Sequence, residues 1–205
     1  MGKHLFKILI LFAVIAFGVI AVTAVRSRSQ KPGDLPEFLA APETSSVPLA
    51  PNVSKVGSPD GKMTLEMTEK KDGAQTTYIV NISGEDGVSR TVFNKTYDSG
   101  WSVSIPYNTF SPDNKRIFLK ISGPTTVSYI VVNSSGEEIG KDNQTVEIVG
   151  RFEAKEPNYK ITDVTGWAAP ALMIINTDKN DGSIGPSFWF DLSNMSFVPL
   201  STRFN

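Results

Sequence analysis

One stretch near the start constrains the whole chain. Ile8 to Val25 runs for 18 residues without a charge. At about 1.5 Å per residue, a helix of that length covers roughly 27 Å, close to the hydrocarbon thickness of a bilayer. Leu5 and Phe6 lengthen the run if Lys7 snorkels to the interface. Lys3 and Lys7 precede it, and Arg26, Arg28 and Lys31 follow. Two readings compete. Val22-Thr23-Ala24 offers small residues for a cleaved secretory signal. The run is longer than a signal h-region, which favours an uncleaved anchor over residues 1–26. The flanking cations are nearly balanced, but a very short N-terminal tail before a large polar domain favours export of the C-terminal part. The expectation is a single-pass cell-membrane protein that meets the lipid bilayer through residues 8–25 and has its C-terminal domain outside the cytoplasm.

Charge and cysteine usage exclude several classes of function. The chain holds 20 Lys and Arg against 21 Asp and Glu, with no surplus of cations for nucleic acid. It has no cysteine and one histidine, His4, which lies ahead of the apolar run. Thiol nucleophiles, thiolate metal sites, and triads or zinc sites that need histidine are therefore absent from the part expected to fold. No cofactor is implied.

Pro32, Pro36, Pro42, Pro48, Pro51 and Pro59 crowd the segment after the leader. Proline fixes φ and lacks an amide donor, so residues 27–56 read as a semi-extended linker between the anchor and a folded domain at 57–205. Leu35, Phe38, Leu39 and Leu49 leave open that this segment docks as an ordered arm.

Beyond the linker the chain reads as strands and turns. Met63–Thr68, Thr76–Ile82, Arg116–Ile121 and Ala171–Ile175 alternate in polarity or are rich in β-branched and aromatic residues. Asp60-Gly61, Asp72-Gly73, Asp86-Gly87, Ser135-Gly136 and Asp181-Gly182 mark turns. No window after the leader shows a convincing helical period.

Two landmarks recur. Ser58-Pro59-Asp60-Gly61-Lys62 leads to Asn81, Ser111-Pro112-Asp113-Asn114-Lys115 leads to Asn133, and Ala169-Pro170-Ala171 leads to Asp191. The spacing from Pro to Asn or Asp is 22, 21 and 21 residues. Near-constant spacing over three units indicates a repeat architecture. Proline presets φ, aspartate caps the turn and glycine takes positive φ, so each landmark suits a tight turn into a strand. Trp101 and Trp167 sit shortly before a proline landmark, where a large ring can fill the space between packed sheets.

The Ser-Pro-Asp-Gly-Lys and Phe-Ser-Pro-Asp-Asn-Lys motifs, each before an apolar strand, resemble the TolB-type, WD-repeat-like β-propeller family over roughly residues 56–205. The resemblance implies an all-β, propeller-like array of three or four antiparallel sheets, with a β-sandwich as the alternative. It makes Pro59, Asp60, Gly61, Pro112, Asp113 and Pro170 structural turn residues and brings no catalytic residues. The chain departs from the family in its longer units, in a third unit that keeps Pro170 but loses Asp-Gly, and in having three units where closed rings have four to eight.

Chemistry is sparse. Asn176–Gly182 offers oxygens at alternate positions, but Asp181 stands where an EF-hand needs glycine and no Glu follows at the twelfth position, so a polar hairpin loop is expected. Asp60, Asp113, Glu137, Glu138 and Asp163 could form a glycosidase pair only if two came close in a cleft. Trp101, Trp167, Trp189, Phe188 and Phe190 suit core packing or a contact platform. Strand alternation aims Trp189 away from its two neighbours, making it the leading candidate for partner contact, followed by Trp167 and Trp101. Six Asn-x-Ser/Thr sequons occur, at Asn52, Asn81, Asn94, Asn133, Asn143 and Asn194, and three of them (Asn81, Asn133 and Asn194) lie in or beside the repeat turn, where Asn and Ser have structural reasons to be. The expectation is a membrane-anchored, exported binding or scaffolding module without enzymatic activity. Its expected partner is another envelope or surface protein, with self-association as a further route. The alternative is an envelope hydrolase acting on glycans or peptides through paired carboxylates.

Overall fold

The computed structural model describes residues 50–139 and 144–204. The apolar leader and most of the linker lie outside the described residues. Among the described residues, no helix is long and apolar enough to cross a membrane.

Three four-stranded antiparallel sheets follow one another along the chain. The first holds β1 (Asn52–Gly57), β2 (Thr64–Asp72), β3 (Gln75–Ser83) and β4 (Ser89–Asp98). The second holds β5 (Ser102–Ser104), β6 (Arg116–Ser122), β7 (Val127–Asn133) and β8 (Thr145–Glu147). The third holds β9 (Tyr159–Ala169), β10 (Leu172–Lys179), β11 (Ile184–Asp191) and β12 (Ser196–Pro199). Each is a meander in which sequence neighbours pair, so short turns suffice and no crossover is needed. The expected all-β class and its three sheets are present, in place of the two sheets of a simple sandwich. The folded part begins earlier than expected, because β1 takes residues assigned to the linker.

The middle sheet is buried on both faces. Ile117, Leu119 and Ile121 of β6, with Ile130 and Val132 of β7, pack against Leu65, Met67, Val80 and Ile82 of the first sheet. Phe118, Tyr129 and Val131 face the other way, onto Val164, Met173, Ile175, Phe188 and Phe190 of the third. The side-chain period of two sends neighbours to opposite faces, so the apolar run Ile117-Phe118-Leu119 supplies two cores at once. Outer faces behave differently. On the first sheet, Lys55 pairs with Glu66 at 2.7 Å and Thr77 bonds Thr96 at 2.8 Å, a polar face suited to water.

A short helix, α1 (Val149–Lys155), was not legible as a periodic pattern. Seven residues give too few turns for one. Its signal is local. The Glu147 carboxylate accepts the amides of Val149 and Gly150, both at 2.8 Å, satisfying donors that a helix start leaves free. Phe152 is fully buried edge-on against Phe188 and Phe197, at 5.0 and 5.1 Å.

The first two repeat turns are built alike. The Ser58 hydroxyl donates to Asp60 Oδ1 at 2.7 Å and accepts the Met63 amide at 2.9 Å, while Asp60 also accepts the Lys62 amide. Ser111, Asp113, Arg116 and Lys115 repeat all three bonds. Gly61 has φ +73° and its counterpart Asn114 φ +57°, a region that asparagine enters more readily than most side chains. The third turn lacks these groups and is shorter: Ala169 pairs directly with Leu172, leaving only Pro170 and Ala171 between the strands.

The second landmark holds in two sheets only. Asn133 pairs with Arg116 and Asp191 with Leu172, the first residues of β6 and β10. Asn81 instead pairs with Glu66, inside β2, and lies within its strand. The first hairpin has longer arms, and that lengthening moves Asn81 inward.

Candidate functional site

The repeat turns place a row of polar side chains at one end of the first two sheets. A groove of about 660 Å³ opens there. Met63 and Ile82 give it an apolar part from the first sheet, and Asn114, Lys115 and Arg116 enter directly after the Ser111 turn. Arg90, at the start of β4, and Glu137, in the loop after β7, complete its polar rim.

The turn fixes these side chains through their backbone. The Asn114 amide donates to Ser111 O at 2.8 Å, and its carbonyl accepts the Ser134 hydroxyl. The Arg116 amide donates to Ser111 Oγ at 3.0 Å, and its Nη1 donates across to Pro170 O at 3.2 Å. Among the described residues, four buried side-chain polar atoms have no hydrogen-bond partner in the protein: Tyr97 Oη, Asn114 Oδ1, Arg116 Nε and Trp189 Nε1. Asn114 as a whole is 7 % exposed. A buried polar group left unpaired costs on the order of 1–3 kcal/mol.

Asp113 in the groove and Asp60 of the first repeat turn are already engaged. For Asp113, partial burial raises the carboxyl pKa, but the Ser111 hydroxyl, the Lys115 amide and the charges of Arg116 and Lys115 outweigh it and hold the group below its usual value. Asp60 is held low by the Ser58 hydroxyl and the Lys62 amide. Carboxyls held down in this way are poor proton donors near neutral pH. Arg90 pairs with Asp86 at 2.6 Å.

Other candidate residues fall elsewhere. Trp101 precedes β5, is 36 % exposed and stacks on Tyr97 at 5.9 Å. Trp167 lies edge-on to Phe118 at 6.2 Å and donates its indole N–H to Thr109 O at 3.1 Å, bridging the second and third sheets. Trp189 points away from buried Phe188 and Phe190, half-buried beside Ile174 and Val198, and its Nε1 has no partner. The three tryptophans thus occupy three separate places. Asp163 accepts the Tyr129 hydroxyl at 3.0 Å, and burial together with that carboxylate pushes the Tyr129 pKa up.

The Asn176–Gly182 oxygens also serve the fold. Asn176 accepts the Ser187 hydroxyl at 2.5 Å, Asp178 pairs with Arg203 at 2.7 Å, and Asp181 accepts the Ser183 amide and hydroxyl. Among the described residues, no group of three or more His, Asp or Glu side chains is placed to hold a metal ion.

The sequence reading singled out Asp113 and Glu137 as carboxylates but missed Asn114, Lys115 and Arg116 as site residues, and the distant Arg90. The turn motif carried the signal for the first three, because a tight turn exposes the residues immediately after it. Nothing in the sequence brought β4 or the loop after β7 to the same place. Set against protein-family models, curated proteins and solved structures, the chain matches none.

Proposed function

We propose that this protein is a membrane-anchored, exported binding module whose three sheets form a propeller-like array, held to the bilayer by residues 8–25. The observation that carries the reading is the groove between the first two sheets, where Met63 and Ile82 lie beside the polar residues Arg90, Asn114, Lys115 and Glu137 while Asp113 holds its turn together. Such a mixed lining suits recognition, in which a few polar groups orient a ligand held by apolar contact. The repeated Ser-Pro-Asp turn and three successive meander sheets support the propeller-like description. The expected partner is another envelope or surface protein.

The test is photo-cross-linking in native membranes, with p-benzoylphenylalanine placed at Glu137 in the groove and, as a control, at Thr96 on the polar outer face. The reading expects one discrete adduct with a different protein from position 137 and none from 96. No adduct from either position, or adducts of the chain with itself alone, would overturn it. Extraction at alkaline pH and protease treatment of intact cells test the anchor: the chain should stay with the membrane, and residues 57–205 should be cleavable from outside.

A further inference from the structure

We propose that a second groove, between the second and third sheets, binds a neutral sugar ring. It shares no lining residue with the groove of the protein-binding reading, and neither proposal depends on the other. The chain between β5 and β6 builds its rim. Ile105 packs inward against the core shared with the first sheet. Asn108 Nδ2 donates to Thr165 O at 3.3 Å, and the buried Thr109 hydroxyl donates to Phe118 O at 2.6 Å. Gly166 lets this chain lie close on β9: its φ is +141°, and a Cβ there would come within 2.8 Å of Asn108 Cβ. Tyr107 stands between these anchors and is 95 % exposed. A tethered loop thus holds a large ring out in water, although most aromatic rings bury the greater part of their surface.

Tyr107 lines a groove of about 340 Å³ together with Asn108, Lys120 and Asp163. The Tyr129 hydroxyl donates to Asp163 Oδ1 at 3.0 Å, which orients the carboxylate and leaves Oδ2 without a hydrogen bond among the described residues. Lys120 Nζ lies 5.8 Å from the centre of the Tyr129 ring, and among the described residues it forms no ion pair. The groove therefore offers an acceptor and a donor of opposite charge that do not neutralise each other by contact. A sugar hydroxyl both donates and accepts, so two neighbouring hydroxyls satisfy both groups. A polyanion would meet Asp163, and a polycation Lys120. An apolar peptide anchor finds little, since Val164 is buried and Pro106 is the other apolar side chain of the lining besides the tyrosines. The flat C–H face of a pyranose matches the exposed Tyr107 ring, and the volume suits roughly one or two sugar units. Asp163 is the sole carboxylate lining the groove, and glycoside hydrolysis takes two, so the sugar is bound and not cleaved.

The test is an array of neutral oligosaccharides built from glucose, mannose, galactose or N-acetylglucosamine. It is probed with the full chain in a detergent without a sugar headgroup, and the best-retained sugar is then titrated by calorimetry. At least one oligosaccharide should bind. Tyr107→Ala should weaken it about ten-fold through the lost stacking surface, while Tyr107→Phe, which keeps the ring, should stay within about two-fold of the parent chain. Because Tyr107 is almost wholly exposed, neither change should move thermal unfolding. Asp163→Asn keeps an acceptor for the Tyr129 hydroxyl but loses the charge, and should weaken binding about five-fold. No binding of any sugar at up to about 10 mM, equal affinity in Tyr107→Ala, or tighter binding of a charged probe (heparin, polylysine or glycylglycine) would overturn the proposal. Cross-linking from position 137 should be the same in Tyr107→Ala as in the parent chain, so failure of the sugar site and failure of the protein-binding reading are told apart.

Discussion

Ser58 and Ser111 occupy the same place in successive sheets, each donating its hydroxyl to the aspartate two residues on at 2.7 Å and accepting the amide five residues on. Ser111 is fully buried and Ser58 nearly so. Removing the hydroxyl leaves a backbone N–H without its acceptor, at a cost of about 1–3 kcal/mol. Ser111→Ala should therefore lower the unfolding free energy by that amount in a urea titration. Ser58→Ala should do the same, and because the Asn114 side chain of the second turn also acts on Asp60 of the first, the loss in the double variant should depart from the sum of the two.

The same turns set an acid limit. Asp60 and Asp113 have carboxyl pKa values below the ordinary 3.8 in the folded chain. A group whose folded pKa is depressed contributes stability that is fully present above its unfolded pKa and is lost as pH falls through the folded one. Stability should hold down to about pH 4 and decline below it. Asp113→Asn keeps an acceptor oxygen for Ser111 and Lys115, so its stability curve below pH 4 should be shallower than that of the parent chain. Equal slopes would mean that the Asp113 carboxylate contributes nothing to the decline.

Trp189 carries a buried indole N–H without an acceptor. Trp189→Phe removes that group and keeps most of the apolar surface, so thermal unfolding should change by less than about 1 kcal/mol in either direction. Trp189→Ala should cost more, since the ring covers Ile174 and Val198. A large loss in the phenylalanine variant would show that the N–H has a partner.

Trp167 behaves in the opposite way. Its N–H reaches Thr109 O, and its ring meets the edge of Phe118. Trp167→Phe should cost about 0.5–1.5 kcal/mol through the lost indole hydrogen bond, since the Thr109 carbonyl still accepts the Phe118 amide at 3.0 Å, and Trp167→Ala about 3–5 kcal/mol. Calorimetry on the two variants, set beside the Trp189 pair, separates a ring that binds sheets together from one that lies on an outer face.

The repeat was readable because Ser-Pro-Asp turns and period-two strands are local: the residues that make the bonds lie within five positions of one another. All five Asp-Gly and Ser-Gly signals lie in turns or at strand ends. Asn81 misled because spacing along the chain ignores hairpin length, and two extra residues per strand shifted its register. Helix α1 escaped because the Glu147 carboxylate that accepts its first amides and its single buried anchor, Phe152, form no period. The groove was the least legible feature, since β4, the Ser111 turn and the loop after β7 meet only through packing of the first two sheets.

That packing underlies the whole account, and adjacent residues on β6 test it most directly. Ile117 is fully buried toward the first sheet and Phe118 fully buried toward the third. Equilibrium unfolding of Ile117→Ala and Phe118→Ala should show losses of about 2–5 and 3–5 kcal/mol respectively, because the middle sheet is covered on both sides. A loss below about 0.5 kcal/mol at either position would mean that one face of that sheet is open to water, which contradicts the stack on which the groove depends.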